Sequence, residues 1–405
     1  MTPLDAFSII VDGVVPVGQA ETLPLTLAAG RFAAARVVSP GALPRFDYSA
    51  VDGFGIPDDW LATDASRCFD LTSFVAAGDA AVAPLAPGKA VKLATGAPVS
   101  AGVAAVVMQE HCRVNGRVVL VEGKIAKGAN IRRYGEDIVA GARLIESGAL
   151  LDARHVAVLA AVGVAQVEVV RRLRVAVLST GNELGPLGED VAPEEIYDAN
   201  RPMLMALLRL PWIEPVDAGI VGDNTAALAK ALGDLAGNVD AVVSSGGVGG
   251  SQTDHIAAAL VMAGGTARPL RIAQRPGKPL VTGTIGTAPF LGLPGSTVAA
   301  LVNLCLYGLP MLAARAGANP VWSPGQAAVS RGAISHPAER ADFMPARIVG
   351  WHQDGRPSVE PLGHGAAALM PLLVADGLME IGGEGGDVPA GGTVVFHPFA
   401  TRFQL

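Results

Sequence analysis

Cysteine is scarce in this sequence, and histidine never occurs in a metal-binding pattern. The 405 residues include three cysteines, which are widely spaced and form no CxxC pair. Their odd number and their spacing argue against a disulfide framework and against a structural zinc site. None of the seven histidines has metal-ligand spacing, and neither an HExxH motif nor a G-x-S-x-G elbow is present. Zinc proteases and serine hydrolases therefore have no support.

Charged residues are few, and dense basic runs are absent. Only 17% of the residues are charged, the formal net charge is −7, and the pI is near 5.5. The most basic stretch, residues 171–174, is interpreted as a solvated strand edge. Neither nucleic acid nor an acidic membrane is therefore expected as a partner.

Long apolar runs and a secretory signal are also missing. The longest apolar segment, residues 298–314, is short for a membrane span and contains Asn303. The first residues include Asp5 and lack a basic region, which predicts no signal peptide. We expect a soluble, cytoplasmic protein.

Apolar residues and glycine, in contrast, are abundant. Half of the residues are hydrophobic, and 50 glycines and 29 prolines are spread along the chain. This composition excludes a disordered chain and indicates several cores with many turns. A chain of this length is expected to form two to four domains.

Residues 172–317 have the clearest periodicity, because short β-rich runs alternate there with helical stretches. The alternation predicts a mostly parallel α/β sheet flanked by helices. The predicted strands are 175–178, 241–243 and 289–291, and the predicted helices are 200–210, 224–235, 254–262 and one from about 298.

The flanking sequence predicts three further domains. Residues 1–44 together with 141–171 are predicted to form a helical linking domain, with residues 1–40 largely helical. Residues 45–140 carry short strands with frequent glycine and predict a β-rich insert. Residues 318–405 show short apolar runs between turns, which predicts a small C-terminal β-domain.

Three predicted strands of the α/β domain end in small polar or glycine-containing loops. Open α/β sheets bind ligands at the carboxyl ends of their strands, so these loops are expected to share one crevice. Each loop alone could be an ordinary connection. The candidate binding residues are Ser179, Thr180, Gly181 and Glu183 in the first loop, Ser245, Gly246 and Gly247 in the second, and Pro294, Gly295 and Ser296 in the third.

The second of these loops, residues 244–254, is rich in glycine and precedes a helix. Successive backbone N–H groups and the positive end of a helix suit a phosphate or another oxyanion. The loop is neither a Walker A motif nor a GxGxxG fingerprint. A flexible connection is the alternative.

Other candidate residues lie outside these loops. Asp47, Ser49 and Asp52 fall in one short span, and Thr95 precedes a glycine; tight turns are the alternative for both segments. The turn Arg275-Pro276-Gly277-Lys278 offers two cations to an anionic ligand, unless it faces solvent.

Three acids expected on loops, Asp52, Glu183 and Asp254, have the hard oxygens that Mg²⁺ prefers. Asp254 could instead cap its helix, and Glu183 could be a surface acid.

In this order, the segments resemble the MoeA/gephyrin E-domain family. Phe46-Asp47-x-Ser49-Ala50-x-Asp52-Gly53 is similar to its PxFDxSAMDGYA signature, and the resemblance extends from near the N-terminus into the C-terminal β-domain. The other matching segments are Thr95-Gly96-Ala97-Pro98, Val106-Val107-Met108-Gln109-Glu110, Asn130-Ile131-Arg132, Gly135-Glu136-Asp137-Ile138, Ser179-Thr180-Gly181-Asn182-Glu183-Leu184, Ser245-Gly246-Gly247-Val248, Pro276-Gly277-Lys278-Pro279 and Leu293-Pro294-Gly295.

The resemblance implies a fold, a reaction and a set of roles. The fold is an elongated homodimer of four-domain subunits with a MogA-like α/β domain. The reaction takes molybdopterin-adenylate and molybdate, with Mg²⁺, and yields molybdenum cofactor and AMP. Asp52, Glu183 and Asp254 become the catalytic and Mg²⁺-binding acids, with Glu183 and Asp254 facing Asp52 of the partner subunit. A molybdopterin adenylyltransferase and molybdoenzyme-maturation proteins are the implied partners.

Several positions depart from the family pattern. Asn182 replaces Asp, Gly249-Gly250 replace Ser-Val, Ser251-Gln252 replace a Gly-acid pair, Ser296-Thr297 replace Asn-Pro, and Ala366-Ala367 replace Ser-Gly. Some of these changes remove polar groups, which leaves a divergent paralogue or a non-catalytic molybdopterin carrier as alternatives to the enzyme. A third alternative is an enzyme of the same fold that takes tungstate or another pterin nucleotide.

Overall fold

A computed structural model describes residues 1–58, 67–80, 82–250, 255–363 and 368–399. Two predicted features fall outside these ranges: Asp254 together with the end of its glycine-rich loop, and the pair Ala366-Ala367. Within the described ranges there are seven α-helices, α1–α7: Pro3–Val11, Ala153–Ala161, Asn200–Leu207, Thr225–Leu235, Ile256–Met262, Thr297–Asn303 and Leu309–Arg315.

The described residues also contain 26 strands. Strands β1–β12 are Ala20–Pro24, Val37–Val38, Tyr48–Ser49, Gly53–Ile56, Arg67–Val75, Lys89–Leu93, Ala105–Met108, Cys112–Asn115, Val118–Val121, Ile131–Arg132, Arg143–Ile145 and Gln166–Val170. Strands β13–β26 are Leu173–Thr180, Leu184–Gly185, Ile196–Tyr197, Ile213–Val221, Ala241–Ser245, Thr266–Arg271, Gln274–Arg275, Pro279–Ile285, Ala288–Leu293, Gln326–Ser330, Ala341–Trp351, Pro357–Pro361, Gly377–Ile381 and Thr393–Pro398.

The chain divides into two compact units. One consists of Met1–Ala35, Ser147–Arg154 and Glu168–Leu405, and the other of Arg36–Glu146 and His155–Val167. The four predicted domain boundaries stay a prediction.

The larger unit contains the predicted α/β sheet, in the strand order β16-β13-β17-β21-β20-β18. The first four strands are parallel, and β20 and β18 complete the sheet in antiparallel pairing. Side chains alternate across a strand. Val175 and Val177 therefore join the core under α1, α3, α6 and α7, whereas Ala176 and Leu178 join the core under α4 and α5.

A small β-domain also belongs to this unit, as predicted for residues after 318. The sheet order is β19-β23-β24-β22-β26-β25, and β23 also pairs with β25, which closes it into a barrel. Because the sheet is closed, each of the strands β22–β26 has a hydrogen-bonded neighbour on both sides. A buried set that includes Met344, Met379 and Phe396 fills the barrel.

The smaller unit is rich in strands, as the sequence predicts for the insert. Its main sheet has the order β7-β4-β6-β5-β9-β8 and is antiparallel except between β5 and β6. Phe54, Ile56 and Phe69 are buried in its core.

The amino-terminal segment has less helix than predicted. Of residues 1–40, only Pro3–Val11 form an α-helix, and Leu25–Leu27 form one 3-10 turn. Gly13, Pro16, Gly18 and Pro24 interrupt the apolar pattern that suggested a longer helix.

The helical segment Thr297–Arg315 is apolar and long enough to span a membrane. Two thirds of its most apolar window is buried within the protein, where Val298, Val302 and Leu312 are core residues. Packing in the core accounts for the apolar composition of this segment.

Candidate functional site

The carboxyl ends of three parallel strands meet at one edge of the α/β sheet. Ser179 at the end of β13 is in register with Ser245 of β17, and Ser245 is in register with Leu293 of β21. The small residues that follow these strands therefore come together, as expected for an open α/β sheet.

A cavity of about 260 Å³ lies at this edge and is called the strand-end cavity below. It contains members of all three loops that the sequence singled out. The lining residues are Ser179, Thr180, Glu183, Leu184, Ile196, Tyr197, Asp198, Ala199, Asn200, Ser245, Gly246, Gly295, Thr297 and Leu369.

Gly246 and Gly247 turn the backbone sharply after β17. Both have positive φ angles, +97° and +64°. A Cβ on Gly246 would lie 2.2 Å from the carbonyl oxygen of Thr180, so no other residue fits without a backbone shift. The Gly246 N–H donates to the Leu293 carbonyl at 3.0 Å, which ties this turn to the end of β21.

Asn200, which was not among the predicted site residues, joins two of the loops. Its Nδ2 donates to Ser245 Oγ and to the Gly295 carbonyl, both at 2.7 Å. Ser245 Oγ in turn donates to the Pro294 carbonyl at 3.2 Å. Asn200 is buried at the start of α3. An asparagine at a predicted helix start was the available sequence signal, but asparagine is common near helix starts as a capping residue, so the signal is not specific for a binding site.

The hydroxyl of Ser179 is buried and has no hydrogen-bond partner among the described residues. Ser179 is 1% exposed and lines the strand-end cavity. Because an unpaired buried hydroxyl is costly, this group marks a place where a ligand or a water molecule would bind.

The first loop contacts the acidic residue Asp223 and itself carries Glu183. Thr180 Oγ1 donates to Asp223 Oδ1 at 3.2 Å, and the Asp223 N–H donates to Asn182 Oδ1 at 2.9 Å. Glu183 is exposed, and its carboxylate lies over the backbone of Gly181, where an added Cβ would be 2.5 Å from Oε2. Asp223 was also absent from the sequence-based selection.

Asp52, in the smaller unit, is fixed by Thr95. The Thr95 N–H and hydroxyl both donate to Asp52 Oδ1, at 2.7 and 3.0 Å. These bonds hold the pKa of Asp52 below its usual value, so this exposed carboxylate is ionised at neutral pH.

Asp47 and Ser49 have partners within their own unit. Burial acts to raise the pKa of Asp47, but the Tyr134 N–H and the Arg133 guanidinium outweigh it and hold that pKa below the ordinary value. The two donors lie 2.7 and 2.6 Å from the carboxylate oxygens. Ser49 Oγ donates to the Val51 carbonyl at 2.6 Å.

The two cations of the Arg275–Lys278 turn have different surroundings. Arg275 forms an ion pair with the buried Asp342 at 2.5 Å. Gly277 packs against Asn303, and a Cβ there would lie 2.5 Å from Asn303 Oδ1. Lys278 is exposed and lines a different cavity from the strand-end cavity.

That second cavity, of about 380 Å³, is called the cationic cavity. Its charged lining residues are Arg271, Lys278 and Arg340, with Glu339 as the acidic side chain. Arg271 Nη2 lies 3.4 Å from the Gly249 carbonyl. The glycine-rich loop therefore lines the strand-end cavity at Gly246 and contacts a lining residue of the cationic cavity at Gly249.

A larger cavity, of about 750 Å³, lies at the opposite edge of the sheet. Arg171, Arg172 and Arg174 line it, but Glu21, Glu214 and Asp240 line it as well. Arg171 binds both oxygens of Asp240, at 2.6 and 2.7 Å. This mutual neutralisation makes the cavity a poor anion site, and Arg172 and Arg174 are exposed at the start of β13, as interpreted from the sequence.

Within the described ranges, no group of three or more His, Cys, Asp or Glu side chains is arranged to hold a metal ion. The three cysteines are free.

Family models match almost the whole chain. The MoeA N-terminal region (domain I and II) matches residues 1–163, a probable molybdopterin binding domain matches 176–314, and the MoeA C-terminal region (domain IV) matches 327–399.

Curated relatives and solved structures agree with these matches. The chain is 34% identical to the molybdopterin molybdenumtransferase of Haemophilus influenzae over 94% of both chains. It is 32% identical to molybdopterin molybdenumtransferase 2 of Mycobacterium tuberculosis over 91% of this chain and 93% of that protein. The crystal structure of a molybdopterin biosynthesis MoeA protein from Pyrococcus horikoshii OT3 covers 98% of this chain and 100% of its own, with a TM-score of 0.80 and 25% identity. The protein therefore belongs to the MoeA family.

Proposed function

We propose that this member of the MoeA family binds the phosphate end of molybdopterin-adenylate in the strand-end cavity. The chain is a transferase of molybdenum cofactor biosynthesis, and the proposal concerns the residues that hold its substrates. The buried hydroxyl of Ser179, which has no partner in the part of the chain that the structure describes, carries the proposal, because it lies beside the Gly246 turn and the hydroxyl of Ser245. Backbone N–H groups in such a turn suit phosphate oxygens.

The cationic cavity is proposed to attract molybdate. Molybdate is a dianion, and the cavity is lined by Arg271, Lys278 and Arg340 with one carboxylate, Glu339. Arg340 is partly offset by its ion pair with Asp342, so Arg271 and Lys278 supply most of the positive charge. In this scheme Arg275 holds the turn in place through Asp342, and Lys278 supplies charge to the ligand. Fixed charges near the reacting oxygens favour transfer of molybdate and release of AMP without reorganisation of solvent.

Mg²⁺ is proposed to bind Asp52, Glu183 and Asp254. Asp52 and Glu183 suit the ion, because both are exposed carboxylates with hard oxygens. Asp52 is fixed by Thr95, and Glu183 lies over the backbone of Gly181. When bound, Mg²⁺ would offset the negative charge of the phosphoanhydride. The carboxylates themselves position the attacking oxygen for cleavage of the phosphoanhydride.

We further propose that the protein is a cytoplasmic homodimer. The family resemblance implies the dimer, in which Asp52 of the partner subunit faces Glu183. A molybdopterin adenylyltransferase and molybdoenzyme-maturation proteins are proposed partners. The net charge of −7 argues against nucleic acid.

The test is AMP release from molybdopterin-adenylate by the purified protein, with molybdate and Mg²⁺. We expect AMP formation that requires molybdate and falls by about 100-fold in Glu183→Gln, because a preorganised charge is lost. Glu194→Gln is the matched control, since Glu194 is an exposed acid of the following loop. Asp254→Ala tests the remaining acid.

A second outcome would favour the carrier alternative. Tight binding of molybdopterin-adenylate without AMP release would mean that the loop replacements, among them Gly249 and Gly250, have removed the chemistry. Failure to bind it at all would contradict both proposals.

A further inference from the structure

Three apolar side chains lie at the mouth of the strand-end cavity. Ile196, Tyr197 and Leu369 all line the cavity, and they are 59%, 49% and 45% exposed. We call this set the apolar rim. Single exposed apolar residues are ordinary, but a group of them beside a polar cavity is typical of a ligand-binding surface.

The backbone holds two members of the rim firmly in place. Strands β14 and β15 pair in parallel, with Leu184 opposite Ile196 and Gly185 opposite Tyr197. The Ile196 N–H donates to the Glu183 carbonyl at 2.7 Å, and the Tyr197 hydroxyl donates to the Glu189 carbonyl at 3.1 Å. The aromatic ring is therefore positioned before any ligand binds, which lowers the entropic cost of binding.

The floor of the cavity has a different character from its rim. Ser179, Thr180 and Ser245 are small and polar, and Gly246 contributes backbone atoms to the cavity wall. A ligand that satisfies both regions has an anionic or hydroxylated end and a flat apolar ring.

The size of the cavity indicates where such a ring would lie. Sites for small ligands usually enclose roughly 300–1,000 Å³, and the strand-end cavity encloses about 260 Å³. A pterin nucleotide with two phosphates is too large for that volume. Part of it must extend past the mouth, where Ile196, Tyr197 and Leu369 are located.

We propose that the apolar rim binds the flat aromatic heterocycle of the substrate, with Tyr197 stacking on the ring while the floor holds the phosphate. This inference rests on the proposed function, because it takes the substrate from there. The pterin and the adenine of molybdopterin-adenylate share the relevant chemistry, and the experiment distinguishes them.

The experiment measures binding of three probes, pterin-6-carboxylate, AMP and pyrophosphate, by calorimetry. We expect Tyr197→Ala to weaken one of the two heterocyclic probes by about 10-fold, as found when an aromatic side chain that stacks on a base is removed. Tyr197→Phe keeps the ring but loses the hydrogen bond to the Glu189 carbonyl, so it should weaken the same probe clearly less than Tyr197→Ala does. Pyrophosphate has no ring, so its affinity should be unchanged and should report an intact floor.

Trp351→Ala is the matched control, because Trp351 is another exposed aromatic residue, 64% exposed, at the end of β23. Leu369→Ala should weaken the same heterocycle as Tyr197→Ala. The probe that responds identifies the ring, pterin or adenine.

Two results would overturn the proposal: neither heterocycle binds the unmodified protein, or Tyr197→Ala binds both as well as Trp351→Ala does. Absence of AMP release together with heterocycle binding that depends on Tyr197 would refute the proposed reaction and leave the rim assignment standing.

Discussion

Asn200 donates both hydrogens of its side-chain amide across the gap between two loops, to Ser245 Oγ and to the Gly295 carbonyl. It is a positioning residue, since it acts through Ser245 and the third loop. The gap it spans is the polar floor at which we place phosphate binding. The shape of that floor therefore depends on a residue at the start of α3.

Asn200→Asp keeps the shape of the side chain and removes both donors. We expect a loss of roughly 1–3 kcal/mol in unfolding free energy, because two acceptors lose their partner. Pyrophosphate affinity should fall, and the Gly246 N–H should exchange faster in hydrogen-exchange measurements. Asn238→Asp is the control, as its side-chain amide donates to the Asp234 carbonyl at the surface. Unchanged exchange at Gly246 would contradict the positioning role.

Gly246→Ala tests the turn after β17. A Cβ would meet the Thr180 carbonyl at 2.2 Å, in addition to the strain of a positive φ. The control Gly188→Ala has a similar φ, +85°, with nothing within 4 Å of the added carbon. Urea denaturation should show a loss of about 1 kcal/mol for Gly188→Ala and a clearly larger loss for Gly246→Ala. Equal losses would mean that the turn relaxes freely.

Single site residues were predictable from sequence where they directly follow a recognisable strand. Ser179, Ser245 and Gly246 follow recognisable apolar runs, and the structure brings all three to one cavity. Asn200 and Asp223 could not be selected, because their partners lie 45 and 43 positions away along the chain. Only the register of the folded sheet makes them neighbours.

At the scale of elements, strand β23 controls the Arg275–Lys278 turn. Asp342, on β23, accepts from Arg275 at 2.5 Å and from Arg340 at 3.2 Å, and His336 Nδ1 lies 3.4 Å away. The carboxylate is 1% exposed. A buried anion thus fixes one end of the turn that carries Lys278.

Asp342→Asn removes that anion with little change of volume. We expect a loss of about 2 kcal/mol in unfolding free energy, below the usual cost of breaking a buried pair because both arginines are partly exposed. Affinity for molybdate should fall too, since the turn is freed. Asp354→Asn, at an exposed pair with Arg356, should change thermal unfolding far less. Equal effects would refute the positioning of Lys278 by Asp342.

Elements were predictable where apolar periodicity is regular. The strands predicted at 175–178, 241–243 and 289–291 and the four predicted helices are confirmed in type, whereas β16, β18 and β20 of the same sheet were not predicted. Helix was overestimated in residues 1–40, where Ala and Leu content favoured it but glycine and proline set the turns. The pairing of β23 with both β24 and β25 depends on long-range register, which sequence does not display.

At the scale of the whole molecule, the proposed dimer would build each site from two subunits. Light scattering should give about twice the 41.1 kDa of the chain. Asp52→Ala and Glu183→Ala proteins should each be nearly inactive. After dissociation and random reassociation, half of the dimers are mixed, and each mixed dimer has one intact site. We expect about one quarter of the normal AMP-release rate.

No recovery after mixing would indicate that each subunit holds a complete site. The control is a mixture of Asp52→Ala with Thr95→Val, since both residues belong to the same hydrogen-bonded pair. In a mixed dimer of these two variants, one site lacks Asp52 and the other lacks the Thr95 hydroxyl. The mixture should therefore not regain activity.

The larger unit is assembled from three separate stretches of chain, and this arrangement affects how the protein folds during synthesis. Phe7 of α1 packs edge-on against Trp322 with ring centroids 5.5 Å apart, and its core partners include Met311 and Leu312. Ribosomes add about 5–20 residues per second, so α1 emerges roughly 15–60 s before those partners do. For that interval its apolar face is open to chaperones and to other nascent chains.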